Sequence, residues 1–371
     1  MNPSVMSDEA WQQHLLDCPA LKPFLDQLSE AFLDQDVGST KTLLNQSSQL
    51  QDELLHHAQS SPGVMLPCPH IPLPTGAERD SYLAIDIGGS TMRLAIVKLL
   101  GRPPSFTAPL HTAFDVQQHL TRMWKPEDKE LEAEAFFDLV ATFVSDALES
   151  WERMGLSIPR PLQIGLTWSF PLLQTTFRSG KILAIGKKFT GLQAVVGQDI
   201  VTLLHGAFER KHLDAELLAV VNDTVATLLA RVYVDENSHL SLIAGTGVNA
   251  AAILPVSIFP AWKCSSALRR AEVVVNTELS LISNPIFPRT QYDAFLNANH
   301  ERPYFQSFEY MVAGMYMGEL TRLVLLKAVN SGAILSKEIR RSSGGLVYTP
   351  YAVRSDDLSD LTKYVSFSGV T

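Results

Sequence analysis

The 371-residue sequence is short of cysteine, of positive charge and of long apolar runs, and each shortage removes a class of function. Its three cysteines, Cys18, Cys68 and Cys264, are odd in number and far apart. They form neither a disulfide framework nor a zinc-ligand pattern, so the expected compartment is reducing and cytoplasmic. Lysine and arginine number 30 against 39 acidic residues, a net charge of −9. An acidic chain lacks the basic footprint that neutralises phosphates, so no nucleic-acid partner is expected. No apolar run reaches the roughly 18 residues that would read as a membrane span. The opening residues, MNPSVMSDEAWQQH, show no basic stretch leading into an apolar core, so no secretory leader is expected. Neither an internal repeat nor a low-complexity tract is visible.

What is present is a large apolar complement, 46% of residues against 19% charged, which suits a globular protein with a sizeable core. At roughly 150 residues per domain, two domains are expected. Residues 7–60 read as polar and helical. Pro62, Pro67, Pro69, Pro72 and Pro74 exclude a helix over 61–76, which reads as a connector. Tyr82–Leu100 is two apolar runs around Gly88-Gly89, a strand, tight turn and strand. Residues 128–154 carry Leu131, Phe136, Phe137, Val140, Val144, Leu148 and Trp151 at helical spacing, with Gly155 as a stop. Short strands are expected at 162–170 and 217–222, a helix at 223–234, a strand pair at 240–254 broken by Gly245 and Gly247, and a long helix at 308–329. Strands alternating with helices make an α/β protein.

Three segments could carry chemistry. In Asp86-Ile87-Gly88-Gly89-Ser90-Thr91-Met92-Arg93 the glycines allow close approach of a ligand, and their N–H groups with the Ser90 hydroxyl could cradle phosphate. Asp86 could order Mg²⁺ through water and Arg93 could meet negative charge; a plain hairpin explains the same residues. Gly245-Thr246-Gly247-Val248-Asn249-Ala250 fits a dinucleotide fingerprint on spacing, but that fingerprint must open a helix. Here Ala251–Pro255 continue as a strand, so a phosphate turn is retained and the dinucleotide reading is set aside. Asp223, after Val221-Asn222 at a strand end, is a candidate general base, and equally a candidate helix N-cap.

Taken together, the segments resemble the eukaryotic hexokinase/glucokinase family of the actin-like ATPase superfamily. The likeness runs from about Met65 to about Tyr351 in the family's order. Tyr82–Gly89, preceded by Pro74-Thr75-Gly76, looks like the first phosphate motif. Leu166-Thr167-Trp168-Ser169-Phe170-Pro171 with Gln174 is similar to the sugar-binding strand. Val221–Val225 is similar to the catalytic-aspartate motif and Ile243–Ala250 to the second phosphate motif. Val275-Asn276-Thr277-Glu278, and Gln306-Ser307-Phe308-Glu309 with Gly318-Glu319-Leu320, resemble glucose-contact motifs.

The resemblance implies a two-domain hexokinase-like, ribonuclease H-like fold, with 80–218 as the small domain and 1–79 plus 219–371 as the large one. It implies phosphoryl transfer from MgATP to the 6-hydroxyl of a hexose such as glucose, at the entry to glycolysis. Asp223 would be the base, with Arg93 and Lys187 beside it in catalysis. Ser169, Lys187, Asn222, Asp223, Asn249, Glu278 and Glu309 would hold the sugar. Asp86, Gly88, Gly89, Ser90, Gly245, Thr246 and Gly247 would hold the nucleotide phosphates. ATP and Mg²⁺ would be required, the metal arriving on ATP without direct protein ligands. The chain also departs from the family. Gly186-Lys187-Lys188-Phe189 stands for its Thr-Lys-Gly-Phe, Leu279-Ser280 for an aromatic-glycine pair, Val225-Ala226 for Val-Gly, and Tyr304-Phe305 for Gly-Gln. One lost hydroxyl hydrogen bond is worth about 0.5–1.5 kcal/mol. The family continues beyond the position of Tyr351 into an adenosine-binding part, so the large domain is expected to be incomplete. These departures support an alternative, a catalytically impaired sugar sensor or regulator with a regulatory protein partner.

Overall fold

The computed structural model describes residues 19–32, 38–102, 113–186, 189–264, 271–282, 286–334 and 345–362. Two helices, α1 (Leu21–Phe32) and α2 (Thr40–Ser60), lead into a proline-rich stretch. That stretch is no passive connector. It holds a short strand, β1 (Leu66–Pro67), antiparallel to β11 (Glu272–Asn276).

Strands β2 (Arg79–Ile87), β3 (Thr91–Leu100) and β4 (Phe114–Met123) form a meander. After helices α3 (Pro126–Glu130) and α4 (Ala133–Arg153), β5 (Leu162–Trp168) pairs parallel to β2. A small hairpin, β6 (Leu172–Thr176) and β7 (Ser179–Ile182), and helix α5 (Ile200–Arg210) precede β8 (Ala215–Asn222), which runs parallel to β5. The sheet order is β4-β3-β2-β5-β8. α4 explains its own place: Phe136, Phe137, Val140, Ala141, Val144, Ala147, Leu148 and Trp151 are all buried at helical spacing. They meet Leu83, Ile85, Ile87, Ile164, Leu166 and Trp168 from the sheet in one core. Pro126 starts a separate short helix, so the helix expected over 128–154 is two.

α6 (Asp223–Val234) follows β8 directly, and β9 (Leu240–Ala244) and β10 (Val248–Pro255) flank the second glycine turn. A second sheet has the order β1-β11-β10-β9. The remaining helices are α7 (Gln291–Asn299), α8 (Ser307–Val312), α9 (Gly314–Ser331) and α10 (Ser355–Thr362). Tyr292, Leu296, Tyr310, Tyr316, Leu320 and Leu323 pack as their core.

By chain contacts the protein divides into two compact units. A helical unit comprises Met1–Leu55, Ala244–Val248 and Leu279–Thr371. A sheet unit comprises His56–Ile243 and Asn249–Glu278. Within the sheet unit α6 touches β8 of one sheet and β11 of the other. Among the described residues no helix is long and apolar enough to cross a membrane.

Candidate functional site

Within the sheet unit, the first glycine turn joins β2 to β3 and Gly88 N–H donates to Thr91 O at 2.9 Å. Neither Gly88 nor Gly89 has a positive φ. A side chain on Gly88 would instead meet the Thr91 carbonyl at 3.0 Å. The carbonyls of the turn are held from behind. Trp124 Nε1 donates to Gly88 O at 2.9 Å, Lys129 Nζ to Gly89 O at 2.8 Å, and Trp124 N–H to Ser90 O at 3.0 Å. In a planar trans peptide the N–H points opposite the C=O. Fixing these carbonyls therefore turns the N–H groups of Gly89, Ser90 and Thr91 the other way.

Asp86, at the end of β2, accepts from Thr167 Oγ1 at 2.6 Å and from Arg93 at 2.8 Å. Arg93 is thus an ion-pair partner of Asp86, its side chain 56% exposed. Ser169 follows β5, its N–H donating to Ile87 O. Lys187 lies outside the described residues.

The second glycine turn belongs by its contacts to the helical unit and repeats the arrangement with other donors. Gly314 N–H donates to Gly245 O at 2.8 Å and Met315 N–H to Thr246 O at 3.1 Å. These two amides are among those a helix start leaves without an intrahelical partner, and the turn supplies their acceptors. The N–H groups of Thr246 and Gly247 are thereby turned away from α9. Glu309, buried on α8, accepts from Val248 N–H at 3.0 Å. The helix expected over 308–329 is broken for this purpose. Ala313 is extended, at φ −84° and ψ 143°, and swings the start of α9 onto the turn. Gly314 fits there because a side chain would come 2.9 Å from Gly245 O.

Back in the sheet unit, the helix cap at the end of β8 is Asn222, whose side chain accepts from Thr224 N–H at 2.9 Å. The capping role considered for Asp223 therefore falls to its neighbour. Asp223 occupies the first helical position and accepts from Thr224 N–H at 2.8 Å. A second polar group joins Asn249 to Glu278 through Asn276. Asn249 Nδ2 donates to Asn276 Oδ1 and Asn276 Nδ2 to Glu278 Oε1, both at 2.9 Å. Glu278 is buried and holds φ at 50°, a left-handed conformation costly for a residue with a side chain. Its N–H is tied to Asn276 Oδ1 at 3.3 Å.

The structure thus links Asn249 with Glu278 through Asn276 and Asp86 with Arg93, while Glu309 is bonded to Val248, the residue that follows Gly245–Gly247. The positioning residues Thr167, Trp124, Lys129, Gly314 and Asn276 were not singled out as site residues. Only Lys125-Pro126 with Asp128, a proline-started capping box, announces the element that carries Lys129.

The fold is that of a hexokinase. The hexokinase from Schistosoma mansoni complexed with glucose superimposes with a TM-score of 0.75 at 23% identity, covering 93% of this chain and 74% of the other. Two hexokinase family models match the sequence, over residues 29–233 and 239–367, and the chain belongs to the hexokinase family. Hexokinase-1 of Nicotiana tabacum is 33% identical over 289 residues, 77% of this chain and 55% of the relative. Hexokinase-1 of Saccharomyces cerevisiae is 30% identical, with 90% of this chain and 67% of the relative covered. The chain spans about half the length of the first curated relatives it matches.

Proposed function

We propose that the chain transfers the terminal phosphoryl group of MgATP to the 6-hydroxyl of a hexose, with Asp223 as the base. The observation that carries this reading is the common build of the two glycine turns. In each, donors from another element fix the carbonyls and so present a row of N–H groups to an anion. Gly245 adds support: it has no positive φ, and a side chain there would meet nothing within 4 Å. The fold itself does not require glycine at 245, whereas a phosphate approaching the backbone would.

Phosphoryl transfer needs placement and charge neutralisation more than covalent help, and Mg²⁺ on ATP would supply the neutralisation. Among the described residues no three His, Cys, Asp or Glu side chains gather as metal ligands. Asp86 suits a water-mediated role, since each of its two oxygens accepts one hydrogen bond and keeps further acceptor capacity. Ser169, Lys187, Asn222, Asn249, Glu278 and Glu309 are assigned to the sugar, whose hydroxyls need paired donors and acceptors. Arg93 and Lys187 are assigned to the charge that develops. Residues 80–218 are assigned as the small domain and 1–79 plus 219–371 as the large one, closing on the sugar to exclude water.

Asp223→Ala should lower hexose 6-phosphate formation about 10²–10⁴-fold while hexose affinity stays within a few-fold. Equal turnover in the variant would remove Asp223 from the role. The second reading, a hexose sensor without turnover, is favoured by Gly186-Lys187-Lys188-Phe189 in the sugar loop. Hexose binding by calorimetry with no product in a coupled assay would select it.

A further inference from the structure

α3 is a short helix with unusually firm footing in the sheet unit. Asp128 is 6% exposed, accepts from Lys125 N–H at 2.9 Å and takes both carboxylate contacts from Arg122 Nη2 at 3.0 Å. On this base Lys129 reaches in two directions. Its Nζ donates to Gly89 O at 2.8 Å, and it lies 4.8 Å from the centre of the Phe189 ring. Phe189 is buried edge-on against Trp124, Phe136 and Phe170. Trp124, the other residue holding the first glycine turn, therefore also touches Phe189.

Behind Phe189 the chain has no slack. Gly191 N–H donates to Lys129 O at 3.3 Å. A side chain at Gly191 would come within 2.1 Å of Leu131 O and 2.5 Å of Glu130 O, both backbone atoms. The C-terminal end of α3 thus does both: Lys129 Nζ fixes the peptide that aims the Ser90 N–H, and the Lys129 carbonyl takes the N–H of Gly191, two residues after Phe189.

We propose that Lys129 is a positioning residue that couples the Gly88–Ser90 turn to the loop at Phe189, so that nucleotide at one and hexose at the other raise each other's affinity; this rests on the sugar-kinase reading. The ammonium is shared between a carbonyl and a ring face. Movement of either loop changes the geometry offered to the other. Such coupling between sites is reciprocal and commonly about 5–150-fold.

The test uses the full chain, with glucose and a non-hydrolysable ATP analogue plus Mg²⁺ titrated by calorimetry, each alone and with the other saturating. The wild type should show each ligand tightening the other at least about fivefold. Lys129→Met should bring that factor toward one, and should weaken the ATP analogue alone because the Gly89 carbonyl loses its donor. Lys129→Arg, which keeps a cation over the ring, should restore most of it. A factor unchanged in Lys129→Met, or equal to one in the wild type, overturns the proposal. Amide exchange decides the matter without ligands. Lys129→Met should speed exchange at both Gly88 and Gly191 and leave the β2–β5 ladder alone; acceleration at one site only overturns the coupling. If the wild type binds neither ligand while both amides respond, the kinase reading fails and the strut stands.

Discussion

Arg322 and Glu319 offer the sharpest measurement on the helical unit. Both lie on α9, three residues apart, and their side chains are each only 5% exposed. Arg322 Nε donates to one oxygen of Glu319 at 2.7 Å and Nη2 to the other at 2.6 Å. The pair also ties down chain that follows α9. Arg322 Nη1 donates to Val347 O at 2.6 Å, and Glu319 accepts from Tyr351 N–H at 2.7 Å. Arg322→Met keeps most of the volume but strands a buried carboxylate with the Tyr351 amide alone. Breaking such a pair costs about 3–5 kcal/mol. At roughly 2–4 °C per kcal/mol for a domain of this size, the melting temperature should fall by about 6–20 °C. Exchange of the Tyr351 amide should rise with it. Adding Glu319→Gln removes the stranded charge and leaves an amide oxygen for Tyr351, so the double variant should regain about 2 kcal/mol or more of the loss. A single variant melting within about 2 °C of wild type would refute the reasoning, as would a double variant no better than the single.

The remaining predictions concern the sheet unit. Trp168 is fully buried at the end of β5 and its indole N–H has no hydrogen-bond partner. Trp168→Phe removes an unmet donor costing about 1–3 kcal/mol and opens a small cavity costing about 1 kcal/mol, so stability by urea titration should hold or rise. A loss above about 2 kcal/mol would show that the N–H is satisfied after all. Burial first, and the nearby Glu278 carboxylate, push the Cys68 thiol up to about 12. The folded protein then holds a proton that an unfolded thiol releases near pH 8.5, so this contribution to stability is intact below about pH 8.5 and declines as pH climbs toward 12. Alkylation of Cys68 at pH 8, followed by peptide mapping, should be at least about 100-fold slower in native than in unfolded protein; a rate within tenfold would contradict the burial.

Much of this was legible in the sequence because it rests on local signals. Apolar spacing marks α4, and alternation around Gly88-Gly89 and Gly245–Gly247 marks the two hairpins. The apolar run behind Asp223 marks α6, although the cap is Asn222 and not Asp223. Other elements left little trace. β4 is exposed along most of its length, so it lacks the buried alternation that announces a strand. The break between α8 and α9 falls at Ala313, a good helix former, with no proline to warn of it. There tertiary contact overrides propensity: the amides freed by the break are the ones that hold Gly245 and Thr246.

The same limit governs the candidate site. A glycine turn is written in the sequence, but the direction its amides face is not, because direction is set by whatever binds the carbonyls. For the first turn those donors lie some thirty to forty residues on, at Trp124 and Lys129; for the second they lie at Gly314 and Met315, beyond the end of the second sheet. Spacing within a motif cannot encode a partner that distant. Two turns of similar composition have their carbonyls held by unrelated donors, an indole and an ammonium in one case and a helix start in the other. A substitution at Lys129 or Gly314 would leave every motif residue in place and still disturb the carbonyls whose anchoring sets where the N–H groups of the turn point.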